Sequence, residues 1–307
     1  MLREPAADFP SVTNFMGRLA LGTAQFGLDY GINNTAGRPA DATVQAILQT
    51  AQAEGLTLLD TAAAYGDSET RLGEWLSQQE AAPKPFQLVT KLAAGPAEQV
   101  RQQLRESLDR LRQPSVYGVL FHAFAAFKEH PEAWLALQEA RVAGLVQRIG
   151  ISLYHPQEAE WLLAQSLDID LVQVPFNVLD QRFGAILPEL ARRGVEVHVR
   201  SAFLQGLLLR HPATLPAYFA PLTDKITQLR ALAQENDVPL TATLLVFAAL
   251  APGVSRAVIG VDSAANLRHN LAAVDFLSSV EKLRPALQQL AETTDTYILP
   301  YTWPPRP

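Results

Sequence analysis

Asp60, Tyr65, Lys91 and His122 are the side chains in this sequence whose types and spacing suit the chemistry of a carbonyl group. Reducing a carbonyl takes a hydride at carbon and a proton at oxygen. A tyrosine hydroxyl can supply the proton, although its ordinary pKa of about 10 is a poor match to neutral pH. A neighbouring ammonium favours the phenolate and lowers that pKa, each unit corresponding to about 1.36 kcal/mol. Lys91 can play that part with Asp60 holding the ammonium, while His122 can orient the carbonyl oxygen or help to pass the proton. Each residue alone has an ordinary structural reading as a salt bridge, a satisfied core histidine or a pocket aromatic. The set of four is far more specific than its members.

These residues fall at the ends of short apolar runs that read as strands. Candidate strands cover residues 18–21, 56–60, 86–91, 116–121, 146–151, 171–174, 195–199 and 257–260. Helical patterns at 42–54, 69–79, 97–111, 132–143, 157–165 and 183–192 alternate with them, and 223–236 and 240–250 form an extra helical pair before the last strand. Strands this short and this apolar are covered by helices. Eight such units in 307 residues predict an α/β chain of one domain, residues 1–307: a (β/α)8 TIM barrel with extra C-terminal helices and a tail. An open doubly wound sheet would place G-x-G-x-x-G after an early strand, and Gly22-Thr23-Ala24-Gln25-Phe26-Gly27 does not match it. In a barrel the active site lies at the C-terminal strand ends, so Asp60, Lys91, His122 and the loop with Tyr65 should converge on one mouth.

Composition narrows the function further. Hydrophobic residues make up 48% and charged residues 18%, and the net charge of −6 argues against a nucleic-acid or anionic-membrane surface. Without cysteine, disulfides, thiolate nucleophiles and Cys-ligated zinc are excluded, and the six histidines form no H-x-H or H-E-x-x-H group, so no metal is expected. Residues 1–10 carry Arg3, Glu4 and Asp8 and lack the apolar core of a signal peptide, which predicts a cytoplasmic address. Prolines in the tail from Tyr297 to Pro305 forbid a regular helix, and its aromatics should pack on the barrel or wall the substrate pocket.

The chain also resembles the aldo-keto reductases, from Leu21-Gly22-Thr23 to Asn270-Leu271. The carrying residues are Leu59-Asp60-Thr61-Ala62-Ala63-Ala64-Tyr65-Gly66, Thr90-Lys91, Leu120-Phe121-His122 and Ile149-Gly150-Ile151-Ser152, with the five-residue spacing from Asp60 to Tyr65. The resemblance implies Asp, Tyr, Lys and His as a catalytic set, a nicotinamide cofactor and a small-molecule carbonyl substrate, in a monomer. It implies cofactor contacts at Gly22 and Thr23, at Ser152 and Gln173 for the carboxamide, and at Ser201, Leu204 and Gly206 in the loop over the pyrophosphate. For the adenosine end it implies Gly260, Asp262, Ser263, Asn266 and Asn270. A helix starting near Ser263 would present its N-terminus to a phosphate.

Three positions depart from that pattern. Leu153 replaces an Asn, Arg200 stands where an aromatic would stack on the nicotinamide, and at the adenosine end no Lys or Arg stands where a 2′-phosphate would be clamped, Asp262 adding a negative charge and Arg268 lying nearby but out of phase. The resemblance puts NADP(H) ahead of NAD(H), whereas Asp262 would favour NAD(H). Arg200 can stack through its planar guanidinium. Expected pocket walls are Gln25, Phe26, Asp29, Tyr30, Phe124, Phe127, Tyr154 and residues 301–303. The function expected is NAD(P)H-dependent reduction of an aldehyde, ketone or sugar-like carbonyl. The alternative is a cofactor-holding barrel with little turnover that acts in regulation.

Overall fold

The structure, a computed structural model, describes residues 12–34, 37–79, 86–165 and 167–304; the N-terminal stretch 1–10 and Pro305 lie outside the described residues. Strands β1 (Leu19–Gly22), β2 (Leu58–Asp60), β3 (Gln87–Leu92), β4 (Val116–Phe121), β5 (Val146–Ser152), β6 (Leu171–Pro175), β7 (Glu196–Arg200) and β8 (Arg256–Gly260) form a closed parallel barrel. Each strand pairs with the next, and β8 closes onto β1 through Leu19–Ala257 to Gly22–Gly260. The (β/α)8 expectation therefore holds.

The period of two along each strand splits the apolar side chains into two clusters. Leu21, Leu59, Leu88, Val119, Ile149, Val172, Val197 and Ala257 face the helices in the large outer core. Ala20, Leu58, Val89, Leu120 and Leu171 fill the barrel interior. Continuing that inward parity one step brings one residue per strand to the C-terminal mouth: Gly22, Asp60, Lys91, His122, Ser152, Gln173, Arg200 and Gly260. The interior is thus mostly apolar at mid-height, with the buried His198 paired to Glu196 as an exception, and polar at the mouth, where chemistry can be done.

The helices cover the outside: α1 (Asp41–Ala53), α2 (Ser68–Ser77), α3 (Ala97–Leu111), α4 (Ala133–Val142), α5 (Pro156–Ala164), α6 (Leu187–Arg192), α7 (Thr223–Glu235), α8 (Leu240–Ala249), α9 (Ala264–Leu271) and α10 (Leu277–Gln288). In α3 the buried Val100, Leu104, Ser107, Leu108 and Leu111 repeat at helical spacing, so one stripe meets the barrel. Of the extra pair, α8 is buried throughout residues 242–249 because α7 and α10 pack over it, and α7 is the added outer layer. The helix expected at 183–192 begins only at Leu187, preceded by turns; Pro188 sits at the helix start, where its missing N–H is not needed. The tail makes a helical turn, Asp295–Ile298, that stops before Pro300, and Trp303 then packs edge-on against Phe219 at 4.8 Å.

One close approach governs β5. A Cβ on Gly150 would land on the backbone carbonyl of Leu171, whereas on Gly118 it would meet only the side chains of Val89 and Leu171. Gly150→Ala should therefore lower the urea midpoint by the equivalent of about 3 kcal/mol, and Gly118→Ala by about 1 kcal/mol. Equal losses in the two variants would contradict this packing.

Candidate active site

The mouth is organised around a buried ammonium. Lys91 Nζ donates to Asp60 Oδ1 at 2.6 Å, to the Thr61 carbonyl at 3.0 Å and to the Tyr65 hydroxyl at 3.4 Å, which uses all its protons. Lys91 is 1% exposed and Asp60 3%, so the pair sits out of water. Burial pulls the Lys91 pKa down, but the charge of Asp60 and the hydrogen bonds to Asp60 and Tyr65 prevail and hold it above the ordinary lysine value. The second Asp60 oxygen accepts the Gln173 amide N–H at 2.7 Å, across the barrel from β6 to β2.

The loop that carries Tyr65 is pinned by its neighbours. Thr61 N donates to Val89 O and Ala63 N to Lys91 O, tying the loop to β3. The Ser68 hydroxyl donates to Thr23 and meets the Thr61 hydroxyl at 3.1 Å, while the Thr23 hydroxyl donates to Asp60 O. Gly27 and Gly66 meet backbone to backbone beneath Tyr65: a Cβ on Gly27 would overlap Tyr65 O, and one on Gly66 would overlap Gly27 O. Behind them, buried Glu69 accepts from Thr90, Ser107 and Arg110. None of Thr61, Ser68 and Glu69 was expected from the sequence; a polar residue opening a helix gives no sign that it braces a strand end.

His122 follows β4 and sets its ring edge-on to Tyr65, with centroids 5.7 Å apart. Burial, then the charges of Lys91 and Arg200, lower its pKa from 6.5 to about 4. The imidazole is neutral at pH 7 and offers one N–H, which suits holding an oxygen better than relaying charge.

From this mouth a cleft of about 1220 Å³, counting its solvent-open part, runs along the strand ends. Gly22, Thr23, Asp60, Tyr65, Gln173, Arg200, Ser201, Gly206, Gly260, Asp262, Asn266 and Asn270 line it, together with Gln25 and Tyr30. Other expected residues are not on its wall. Ser152 is buried at the end of β5, Leu204 is buried in the core, and Ser263 caps α9 by accepting the Asn266 N–H. Phe26 and Phe127 are core residues, Phe124 stacks edge-on to Trp161, and Asp29 is exposed. Tyr154 lies beneath Arg200 with its ring 4.3 Å from the guanidinium carbon, and the tail's Tyr301 packs on Tyr154 at 4.9 Å. The tail therefore backs the wall without forming it. Thr241 and His269 were not anticipated; His269 shares the α9 face of Asn266 by its spacing.

The wall suits a dinucleotide. Ser201, Leu204 and Gln205 all have positive φ, with Gly206 at 93°, and the turn is closed by its own backbone, Leu204 N donating to Ser201 O and Gly206 N to Phe203 O. The loop after β1 is tied to this segment: Ile32 N donates to Gln205 O, Asn33 Nδ2 to Gly206 O, and Arg210 to both Asn33 and Ile32. Glycines at 22 and 260 bring bare backbone to the floor, and the Gln25 amide rests over Gly260. Among the described residues no cluster of His, Asp or Glu could hold a metal, and no helix is long and apolar enough to cross a membrane.

The sequence model of the Aldo/keto reductase family matches residues 18–289. An "L-galactose dehydrogenase" of Arabidopsis thaliana is 24% identical over 269 residues, 81% of this chain and 83% of that protein. An "Aldo-keto reductase" of Mycolicibacterium vanbaalenii is 28% identical, with 58% of this chain aligned to 64% of its length. A "D-threo-aldose 1-dehydrogenase" of Pseudomonas sp. is 26% identical, with 45% of this chain aligned to 44% of its length. Among solved structures, an aldo-keto reductase of Bacillus halodurans in its holo form superposes with a TM-score of 0.73 at 22% identity, covering 90% of this chain and 92% of that one.

The lowered pKa of His122 has a consequence for stability. Between pH 6.5 and about 4 the unfolded chain binds a proton at His122 that the folded chain does not, so stability falls as pH falls through that window. Replacing His122 with Gln should flatten this part of the pH–stability curve by about 2 kcal/mol, given a partly solvated ring. An unchanged slope in chemical denaturation at pH 4.5 against pH 7 would show that the ring is not held neutral.

Proposed function

Because this chain belongs to the aldo/keto reductase family, an oxidoreductase family acting on carbonyl groups, we propose that it reduces an aldehyde, ketone or sugar-like carbonyl to the alcohol with NADH or NADPH, and that Tyr65 donates the proton. The observation that carries this reading is the Tyr65 hydroxyl, 3.4 Å from a buried, fully hydrogen-bonded Lys91 at one end of a dinucleotide-sized cleft.

A nicotinamide held against Gly22, Gln173 and Arg200 would supply hydride to the carbonyl carbon. Tyr65 Oη gives its proton to the carbonyl oxygen as that oxygen gains charge, and the Lys91 ammonium stabilises the phenolate left behind. Asp60 keeps Lys91 charged and in place, with Gln173 orienting the carboxylate. His122, neutral, presents an N–H to the carbonyl oxygen and aligns it with Tyr65. Solvent at the open mouth restores the proton to Tyr65.

Hydroxyl-bearing substrates suit the groups around the mouth. Gln25, Tyr30 and Gln205 line the cleft and offer amide and hydroxyl partners for a polyol chain. Two relatives carry names that place their action on sugars, L-galactose and a D-threo-aldose, which supports a sugar-like carbonyl for this chain. We place the activity in the cytoplasm, in a monomer.

Cofactor choice turns on the far end of the cleft. Exposed Asp262 lines it, and among the described residues no cation pairs with it. Arg268 is turned away to the Thr50 hydroxyl at 3.2 Å. A carboxylate accepts from a ribose 2′-hydroxyl and repels a 2′-phosphate. The balance moves from the NADP(H) expected by resemblance toward NAD(H).

Two measurements test the reading. Tyr65→Phe should lose about 10²- to 10⁴-fold in kcat while retaining cofactor binding; undiminished turnover would remove Tyr65 as the proton donor and leave the regulatory alternative open. In fluorescence titrations NADH should bind about tenfold more tightly than NADPH, and Asp262→Arg should reverse the order. A wild-type preference for NADPH would restore the original expectation.

A further inference from the structure

The charged groups at the mouth do not cancel. Lys91 and Asp60 neutralise each other at 2.6 Å, and His122 is neutral at pH 7. Arg200, the last residue of β7, is left over. Its Nη2 donates to the Leu153 carbonyl at 3.2 Å and its guanidinium rests 4.3 Å over the Tyr154 ring. Neither partner carries charge, and among the described residues no carboxylate pairs with Arg200. A guanidinium stays protonated at any working pH, so the mouth holds one permanent positive charge in excess. Its field reaches the neighbouring groups: after burial and the Lys91 charge it helps to lower the pKa of His122, and it opposes the burial that raises the pKa of Tyr30.

That charge lies on the wall that a hydride donor must use. Hydride and proton go to the two atoms of one carbonyl group, and Tyr65 fixes the oxygen end. The cleft that reaches Tyr65 is walled at this point by Gln173 and Arg200. A nicotinamide ring is uncharged when reduced and positively charged when oxidised. An unpaired cation on the wall therefore acts on one redox state and is nearly indifferent to the other, and differential affinity shifts the equilibrium between them.

We infer that Arg200 makes the cleft discriminate between redox states of its cofactor, holding the reduced form more tightly than the oxidised form, so that the form needed for carbonyl reduction occupies the cleft and the spent form leaves readily. This rests on the proposed cofactor-dependent function and adds to it a residue that sets which redox state occupies the cleft, while making the bound couple a weaker hydride donor. Arg200 is a specificity residue here, acting by charge on the bound cofactor. Stacking alone would not produce the effect, since a flat neutral partner stacks on both forms.

The test is equilibrium binding, read by protein fluorescence without turnover. Dissociation constants for NADH and NAD+, and for NADPH and NADP+, are measured on the full chain as wild type, Arg200→Gln and Arg200→Lys, each checked for native circular dichroism. The wild type should give a Kd(oxidised)/Kd(reduced) ratio of about 10 or more. Gln should lower that ratio by about tenfold, and Lys should keep it within about threefold of wild type because it preserves the charge. A tenfold change in the ratio is about 30 mV in the potential of the bound two-electron couple. If Gln weakens both forms equally, Arg200 is only a platform and the inference is overturned. It is also overturned if Lys lowers the ratio as far as Gln does. If the wild type binds neither redox state of either cofactor, the proposed function itself falls, a result distinct from binding without discrimination.

Discussion

The ion pair between Lys91 and Asp60 is the contact on which the rest of the candidate site depends. Withdrawing both charges from water costs several kcal/mol for each ion, and their attraction offsets this only with good geometry and every other polar atom satisfied. The structure meets that condition from four directions. Asp60 and Thr61 take two Lys91 protons from β2 and the residue after it, Tyr65 takes the third, and Gln173 reaches from β6 to the free carboxylate oxygen. Displacing any one of these strands leaves a buried charge uncompensated. Because apolar residues of similar volume are often no worse for stability than a buried ion pair, the pair is better explained by chemistry at Tyr65 than by folding.

Around this rigid centre the barrel supplies support on two scales. The apolar interior layer beneath the mouth keeps water away from the ion pair from below. Above it, loops after β1, β2 and β7 brace one another through backbone contacts that side chains could not make, as at Gly27 against Gly66. The segment after β7 stores strain, with Ser201, Leu204 and Gln205 at positive φ, conformations that cost on the order of 1–3 kcal/mol each in non-glycine residues. It is held there by Asn177 donating to Ser201 O and by the Asn33 and Arg210 bridges to the β1 loop. The cleft wall is thereby shaped before any ligand arrives, and its charges, Arg200 at one end and Asp262 at the other, sit at fixed places along it.

Much of this was legible in the sequence because short apolar runs alternate along it with amphipathic helical patterns. Short apolar runs set between helical patterns located the strands to within a residue or two, as for β3, expected at 86–91 and found at Gln87–Leu92. The rule that barrel chemistry lies at C-terminal strand ends then named Asp60, Lys91 and His122, whereas Gly22, Ser152, Gln173, Arg200 and Gly260 at the other strand ends came from the resemblance to the aldo-keto reductases. Side-chain direction in the loops was not legible. Thr23 lines the cleft yet spends its hydroxyl on Asp60 O, Leu204 turns into the core, and Phe127 joins the aromatic cluster of Phe121 and Trp134. Residue type says what a group can do, and only local backbone geometry says which way it points. Thr241 and His269 escaped notice for a related reason: they come from two helices that meet only in the folded chain, where Thr241 Oγ1 and His269 Nε2 lie 2.8 Å apart.

By itself the sequence determined the barrel, the positions of its strand ends and the group of Asp60, Tyr65, Lys91 and His122, because these follow from short-range patterns written along the chain. Tertiary structure alone decided what those groups are to one another. Closing the barrel set Gln173 against Asp60 from the far side, made His122 neutral by burial beside two cations, and left Arg200 without a carboxylate. These are properties of distances between strands that are remote in sequence. Electrostatics depends on such distances and on burial, and neither exists until the ring of strands is complete.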